Sequence, residues 1–322
     1  MKVSVAMCTY NGARYIQEQL DSILHQTRPV DEIIISDDGS TDGTLEILRK
    51  YANDYHYINY CVNKTNKGFK QNFIDTINRC TGDIVFLSDQ DDCWYEYKVA
   101  KILDLYEKNA NLQVVFTNGN IINEDGESLN ETMFERVGLD NMKQQFWHKG
   151  YALEILARCN RATGATMAMR KSFVNNIDWM KYTKIKYHDL LLVLLSIGSN
   201  QCDFMNDCLI KYRLHSGNNT GLDRFQEFYI SPLVPVKDID KSILEILDLS
   251  QKQRLNFASK RMDFTHYWFG IQVMSHINIY RCVYGIWWYK FLLYDWKDSN
   301  IISTYRIRNK WRSVCLKNLF KL

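Results

Sequence analysis

A chain of 322 residues, 46% hydrophobic, 24% charged and 13% aromatic, has enough apolar side chains to bury a large core and is not composed like a disordered or low-complexity protein. Its nine cysteines are odd in number and contain no Cys-x-x-Cys pair, which sets aside a disulfide framework and suits a reducing compartment. The net charge of +3 hides an asymmetry: residues 251–322 hold 13 Lys/Arg against 3 Asp/Glu, whereas residues 1–250 hold 27 against 34.

The chain opens Met1-Lys2 and runs directly into the strand-like Val3–Cys8, without an apolar h-region and cleavage site, so export is not expected. Ile16, Leu20, Ile23 and Leu24 then recur at helical spacing, and Glu32–Ser36 reads as a strand. Asp42 is placed to cap a helix carrying Leu45, Ile47, Leu48 and Tyr51, followed by a strand over Tyr57–Val62. Phe69–Arg79 reads as a helix and Asp83–Leu87 as a buried strand. This alternation predicts βαβ units around a parallel sheet. A helix over Lys98–Asn109 and a strand over Gln113–Thr117 carry the α/β pattern to about Asn118, after which the pattern is irregular to about Ala157. A strand over Gly164–Met169, a helix over Leu190–Gly198 and one or two strands in Cys202–Arg213 follow. Residues 231–240, with Pro232 and Pro235, read as a linker to Tyr- and Trp-rich helices that continue to the C-terminus.

The residues able to do chemistry sit just past the predicted strands, where open α/β sheets bind ligands. Ser88-Asp89-Gln90-Asp91-Asp92-Cys93-Trp94 puts three carboxylates within four residues, a charge density that calls for a cation. A hard Mg²⁺ or Mn²⁺ ion held by one or two carboxylates completes its shell with substrate phosphates. The plain alternative is a solvated acidic turn capping a helix near Trp94. Prenyl-diphosphate ionising enzymes share such an Asp-rich motif, but they are all-helical and this motif follows a strand.

Ser36-Asp37-Asp38-Gly39-Ser40-Thr41-Asp42 forms a second acidic turn, whose carboxylates can accept hydrogen bonds from a base or ribose. A phosphoacceptor receiver domain is disfavoured by the lack of a suitable later lysine. Thr9-Tyr10-Asn11-Gly12 offers an aromatic face and small polar groups for a flat base, and Asn66-Lys67-Gly68-Phe69-Lys70 offers a flexible backbone with two cations for phosphates. Each of these also has a plain reading as a common turn.

Taken in order and spacing, Cys8–Gly12, Ser36–Asp42, Asn66–Gly68 and Ser88–Trp94 resemble the nucleotide-sugar-binding half of family-2 inverting glycosyltransferases. The resemblance covers roughly residues 1–220 and implies a GT-A fold, a Rossmann-like α/β architecture, here with a C-terminal helical, basic-aromatic extension. The domain division that follows is a nucleotide-sugar half over 1–118, an acceptor half of the same domain over 119–230, and a linker with extension over 231–322. By this resemblance Thr9, Tyr10 and Asp38 contact the nucleoside, with Asn11 in the same loop and Lys67 and Gly68 toward the phosphates. Asp89 and Asp91 serve metal and diphosphate, with Asp91 the first choice as direct ligand.

Tyr187-His188-Asp189 resembles the motif that carries the family's general base, implying that Asp189 deprotonates the acceptor hydroxyl as it attacks the anomeric carbon, with His188 a supporting positioner. Thr163–Thr166 resembles the small-residue segment of the acceptor side. Tyr212-Arg213-Leu214-His215 resembles an arginine-histidine segment near the diphosphate, where Arg213 and His215 clamp phosphate oxygens or the ion. The form Ser-Asp-Gln-Asp-Asp-x-Trp resembles bacterial rhamnosyltransferases of cell-wall or capsular polysaccharide synthesis. Tyr95-Glu96-Tyr97, in place of the usual Pro-containing turn, and Leu190 after the base depart from the family pattern and bear on acceptor and sugar.

The expected cofactor is Mg²⁺ or Mn²⁺, the donor a dTDP- or UDP-sugar, and the acceptor a glycan or lipid-linked saccharide; no nucleic-acid partner is expected. Five of the eight tryptophans fall in the basic tail, which suits an anionic membrane surface and, with the absence of a leader, a cytoplasmic enzyme peripheral to the inner face of the membrane. The most apolar tail segment, Val283–Trp296, is too short to span and contains Lys290 and Asp295. A non-catalytic nucleotide-sugar-binding scaffold would keep the strand-end loops without needing Asp189, and a nucleotidyltransferase would need a Gly- and Lys/Arg-rich N-terminal signature that this chain lacks.

Overall fold

The structure is a computed structural model that describes residues 1–218 apart from 157–159, 184, 186 and 198–200. The expected boundary near 230, the linker and the C-terminal basic-aromatic extension lie outside the described residues. Strands β1 (Val3–Thr9), β2 (Glu32–Asp37), β3 (Ile58–Val62) and β4 (Ile84–Ser88) alternate with helices α1 (Ile16–Leu24), α2 (Thr44–Asp54) and α3 (Phe69–Arg79). β1 and β4 are buried along nearly their whole length, as strands covered on both faces are. α1 buries Ile16, Leu20 and Ile23, and α3 buries Phe73, Ile74 and Ile77, each set on one helical face. Full burial of one such side chain contributes about 1.5–3 kcal/mol, so these stripes dock the helices.

The chain continues through β5 (Cys93–Trp94), α4 (Lys98–Lys108), β6 (Val114–Ile122), β7 (Ser128–Thr132), α5 (Met133–Arg136), α6 (Asn141–Phe146), α7 (Ala152–Leu156), β8 (Ala168–Arg170), α8 (Lys171–Val174), α9 (His188–Ile197) and β9 (Cys202–Arg213). The strand order is β3-β2-β1-β4-β8-β6-β9-β5, with β7 paired to β6. β1 to β4 are mutually parallel, whereas β8 runs antiparallel between β4 and β6. The carboxyl ends of the first four strands therefore share one edge, as the sequence predicts.

The helix expected over Lys98–Asn109 is α4, and ahead of it Cys93 and Trp94 pair with Lys211 and Ile210 of β9. Two local expectations change. The stretch after Asn118 is ordered: β6 continues to Ile122, and Thr132 and Glu135 form a reciprocal capping box for α5. The strand expected over Gly164–Met169 is a 3-10 turn, Gly164–Thr166, closed by Met167 N–H donating to Gly164 O at 2.8 Å, and only then β8. Cys202–Arg213, expected as one or two strands, is a single strand whose register with β6 shifts around Asn118.

Candidate functional site

The loops that follow β1, β2 and β3 are tied together by their own acids. Thr9 Oγ1 donates to Asp37 Oδ2 at 2.7 Å, and the same carboxylate accepts from Gly39 N, Ser40 N and Ser40 Oγ, so Asp37 is committed to closing its turn. Asp38 is buried and accepts from Lys67 N at 2.8 Å, Gly68 N at 2.9 Å and Asn63 Nδ2 at 2.9 Å. It thus holds the Lys67–Gly68 loop, with Gly68 at φ +76°, a conformation that favours glycine. The Lys67 ammonium pairs with Asp75 at 2.6 Å. Asn11, at φ +49°, receives Thr41 N–H on its side chain at 2.9 Å. Tyr10 stands 47% exposed beside these groups, a free aromatic face.

Gln90 joins this cradle to the acidic loop. Its carboxamide accepts from Tyr10 N at 2.8 Å and donates to Tyr10 O at 3.0 Å, a two-point bridge to the backbone. A Cβ on Gly12 would collide with that carboxamide, so the close approach requires glycine there.

The acidic loop is completed by the far end of β9. His215 Nε2 lies 2.7 Å from Asp91 Oδ2, both side chains being 13% exposed. Asp92 is buried; its Oδ1 accepts Arg213 N–H at 3.0 Å and its Oδ2 has no hydrogen-bond partner among the described residues. Burial and the neighbouring Asp91 and Asp89 charges push the Asp92 carboxyl well above the usual carboxylate range. Burial, Asp91 and Asp189 push Asp89 up in the same way. Arg213 is almost wholly buried: Nε donates to Asp91 O at 2.8 Å, Nη1 to Glu124 O at 3.2 Å and Nη2 to Glu18 Oε2 at 2.5 Å. Its guanidinium lies 4.7 Å above the Tyr15 ring, which also meets the His215 ring at 5.1 Å.

Asp189 lies in the first turn of α9. Its carboxylate accepts Gly164 N–H at 3.3 Å and Leu190 N–H at 2.6 Å. Burial raises it to about 6 against these stabilising hydrogen bonds. His188 stacks on Phe73 at 4.4 Å, and burial drives its imidazole down to about 3, keeping it neutral. Between Asp189 and the acidic loop lies Lys98, fully buried, its ammonium 3.0 Å from Ala165 O and 3.9 Å from the Trp94 ring centre. Burial lowers this ammonium to about 7, against the opposing pull of Asp92 and Asp89.

The structure brings Thr9, Tyr10, Asn11, Asp38, Lys67 and Gly68 to one edge, beside Asp89, Asp91 and His215. Arg213 has each guanidinium nitrogen engaged by a protein oxygen, of Asp91, Glu124 and Glu18. Asp91 and His215 are paired, and among the described residues no three His, Cys, Asp or Glu side chains form a cluster able to hold an ion. Sequence reasoning missed Gln90, Glu18, Tyr15 and Lys98. Lys98 was detectable as a lysine on the same helical stripe as Val99, Ile102 and Tyr106, all buried; Gln90 lay inside the acidic motif itself.

The chain is 38% identical over 126 residues to the putative glycosyltransferase EpsE of Bacillus subtilis, covering 39% of this chain and 45% of that protein. It is 40% identical over 111 residues to the dTDP-rhamnosyl transferase RfbG of Shigella flexneri, covering 33% and 38%. The matched region thus spans less than half the length of these curated relatives. Among solved structures, S. aureus TarS 1-349 in complex with UDP-GlcNAc superposes with a TM-score of 0.55 at 20% identity, covering 79% of this chain and 70% of that one, a likeness of GT-A fold. The profile described as Glycosyl transferase family 2 matches residues 4–177, more than half of the chain, and the chain belongs to that family.

Proposed function

We propose that the chain transfers a sugar from a nucleotide-diphosphate donor to a glycan or lipid-linked acceptor of surface polysaccharide synthesis, with inversion at the anomeric carbon. One observation carries the reading: the Lys98 ammonium lies 3.9 Å from the Trp94 ring at the end of the acidic loop and 3.0 Å from Ala165 O, and the adjacent Gly164 N–H donates to Asp189 Oδ2 at 3.3 Å, so the base candidate and the acidic loop are neighbours. In this reading Tyr10 stacks against the base, Asp38 fixes the loop that flanks the nucleoside, and the Lys67–Gly68 segment borders the phosphates. Asp189 takes the proton of the acceptor hydroxyl, and its raised affinity for protons suits a general base.

The donor set fits a hard divalent ion. Asp91 and His215 offer one oxygen and one nitrogen, and beside them Asp92 Oδ2 has no hydrogen-bond partner among the described residues. Mg²⁺ or Mn²⁺ held by Asp91 and His215, with Asp89 supporting, would offset the charge of the leaving diphosphate. The relative named a dTDP-rhamnosyl transferase makes dTDP-rhamnose the first donor to test, and the solved relative titled with UDP-GlcNAc makes that donor the second.

Among the described residues no helix is long and apolar enough to cross a membrane. The basic, Trp-rich composition of residues 251–322 supports a peripheral role at an anionic inner membrane face. A panel of nucleotide sugars with Mg²⁺ or Mn²⁺, read as nucleotide diphosphate release, tests the enzyme reading. Release from no donor with either ion overturns it.

A further inference from the structure

We propose that Lys98 is a positioning residue that locks the donor-side acidic loop to the turn holding the base, so that the two act as one rigid unit. The inference rests on the transferase reading above and adds a role to a side chain that touches neither substrate. α4 otherwise packs through an apolar stripe, and a charged group on it is costly to bury. Lys98 is nonetheless wholly shielded from solvent. Its ammonium is met by three partners: Ala165 O at 3.0 Å, the Trp94 ring at 3.9 Å and the charges of Asp92 and Asp89.

Ala165 is the middle residue of the 3-10 turn Gly164–Thr166, and the Gly164 N–H of that turn donates to Asp189 Oδ2 at 3.3 Å. Two hydrogen bonds therefore connect the ammonium beneath the acidic loop to the carboxylate of the base. Trp94 anchors the same ammonium from the other end of the loop, and it is itself fixed as β5 against β9. Loss of the ammonium leaves Ala165 O without its donor, frees the turn and removes the partner that keeps Gly164 N–H aimed at Asp189. A misplacement of about 1 Å at a reacting group costs on the order of 100-fold in rate. The effect should therefore fall mainly on turnover, because the turn that Lys98 holds presents Gly164 N–H to Asp189, whereas Asp38 and the Lys67–Gly68 segment are held by their own hydrogen bonds.

The test uses the full chain with Lys98→Met, which keeps the stem and removes the charge, and Lys98→Gln, which keeps an N–H donor and guards against a Met variant that does not fold. The acceptor-free readout is Mn²⁺-dependent hydrolysis of UDP-GlcNAc and dTDP-rhamnose to nucleotide diphosphate and sugar. The expected result is a kcat reduced at least tenfold in Lys98→Met, with KM for the donor within twofold of wild type and a smaller loss in Lys98→Gln. An unchanged kcat, or a loss confined to KM, overturns the proposal. A second measurement needs no activity: urea unfolding of Lys98→Gln, Asp189→Ala and their combination. Non-additive midpoints are expected, and additive ones overturn the link. A wild-type chain that hydrolyses neither donor counts against the transferase reading alone, and the unfolding cycle still decides the connection between Lys98 and Asp189.

Discussion

Asp91 and His215 meet at 2.7 Å although 124 positions separate them, the first at the end of β4 and the second just past β9. Asp91→Ala is expected to reduce donor affinity in Mn²⁺ to the value measured in EDTA. His215→Ala should weaken the Mn²⁺-dependent part by about 10- to 100-fold, the range seen when groups that orient metal ligands are removed. Calorimetric titration of donor with and without the ion checks both. Equal donor affinity in wild type and Asp91→Ala contradicts the assignment.

Asp189→Ala should leave donor binding within about twofold and lower transfer by about 10²–10⁴-fold, the usual contribution of a general base. The wild-type pH profile carries a second signature. A base must be ionised, and burial raises Asp189 to about 6, so kcat/KM should fall tenfold per unit below that pH. A limb near 4, where an unperturbed aspartate titrates, would exclude Asp189 as the base.

His188 makes stability depend on acid. Its folded value of about 3 lies below the roughly 6.5 of an unfolded histidine, so between those values the unfolded chain binds the extra proton. The contribution is intact above about 6.5 and is lost as pH falls toward 3, at up to about 1.4 kcal/mol per unit. The raised Asp89, Asp92 and Asp189 carboxyls act in the opposite sense. The check is therefore a difference: urea denaturation at pH 7 and pH 5 should show a smaller acid loss in His188→Phe than in wild type. Parallel losses would contradict the account.

The Gln90 bridge predicts an epistatic pair. Gly12→Ala should weaken donor binding because its new Cβ displaces the Gln90 carboxamide, and Gln90→Ala should weaken it by losing both bonds to Tyr10. Each loss is expected near tenfold, about 1.4 kcal/mol for two net hydrogen bonds. The double variant should be no worse than the poorer single one, as measured by donor titration; additive losses would show that Gly12 acts through something other than Gln90.

The parallel half of the fold was legible because its strands are short apolar runs and its helices carry clean buried stripes, so the loops holding Tyr10, Asp38, Lys67 and Asp91 fell at strand ends by counting alone. What escaped depended on partners distant in the chain. β5 is two residues long and exists only because β9 lies alongside it. Arg213 looked like a free cation until Glu18 and the carbonyls of Asp91 and Glu124 surrounded it. Lys98 shares a buried stripe with Val99, Ile102 and Tyr106, but its partners, the Ala165 carbonyl and the Trp94 ring, come from other parts of the chain.

The return of β9 to the acidic loop also has a bearing on biosynthesis. While the chain is being made, Asp89, Asp91 and Asp92 emerge long before Arg213 and His215, so the nascent first half carries its acids without the cationic strut that braces them. Domains gain structure as they leave the ribosome, but non-local pairings wait for both partners. The Asp91–His215 pair therefore cannot form until residue 215 has cleared the exit tunnel, and a stalled product ending before β9 would carry the acidic loop without the residues that brace it.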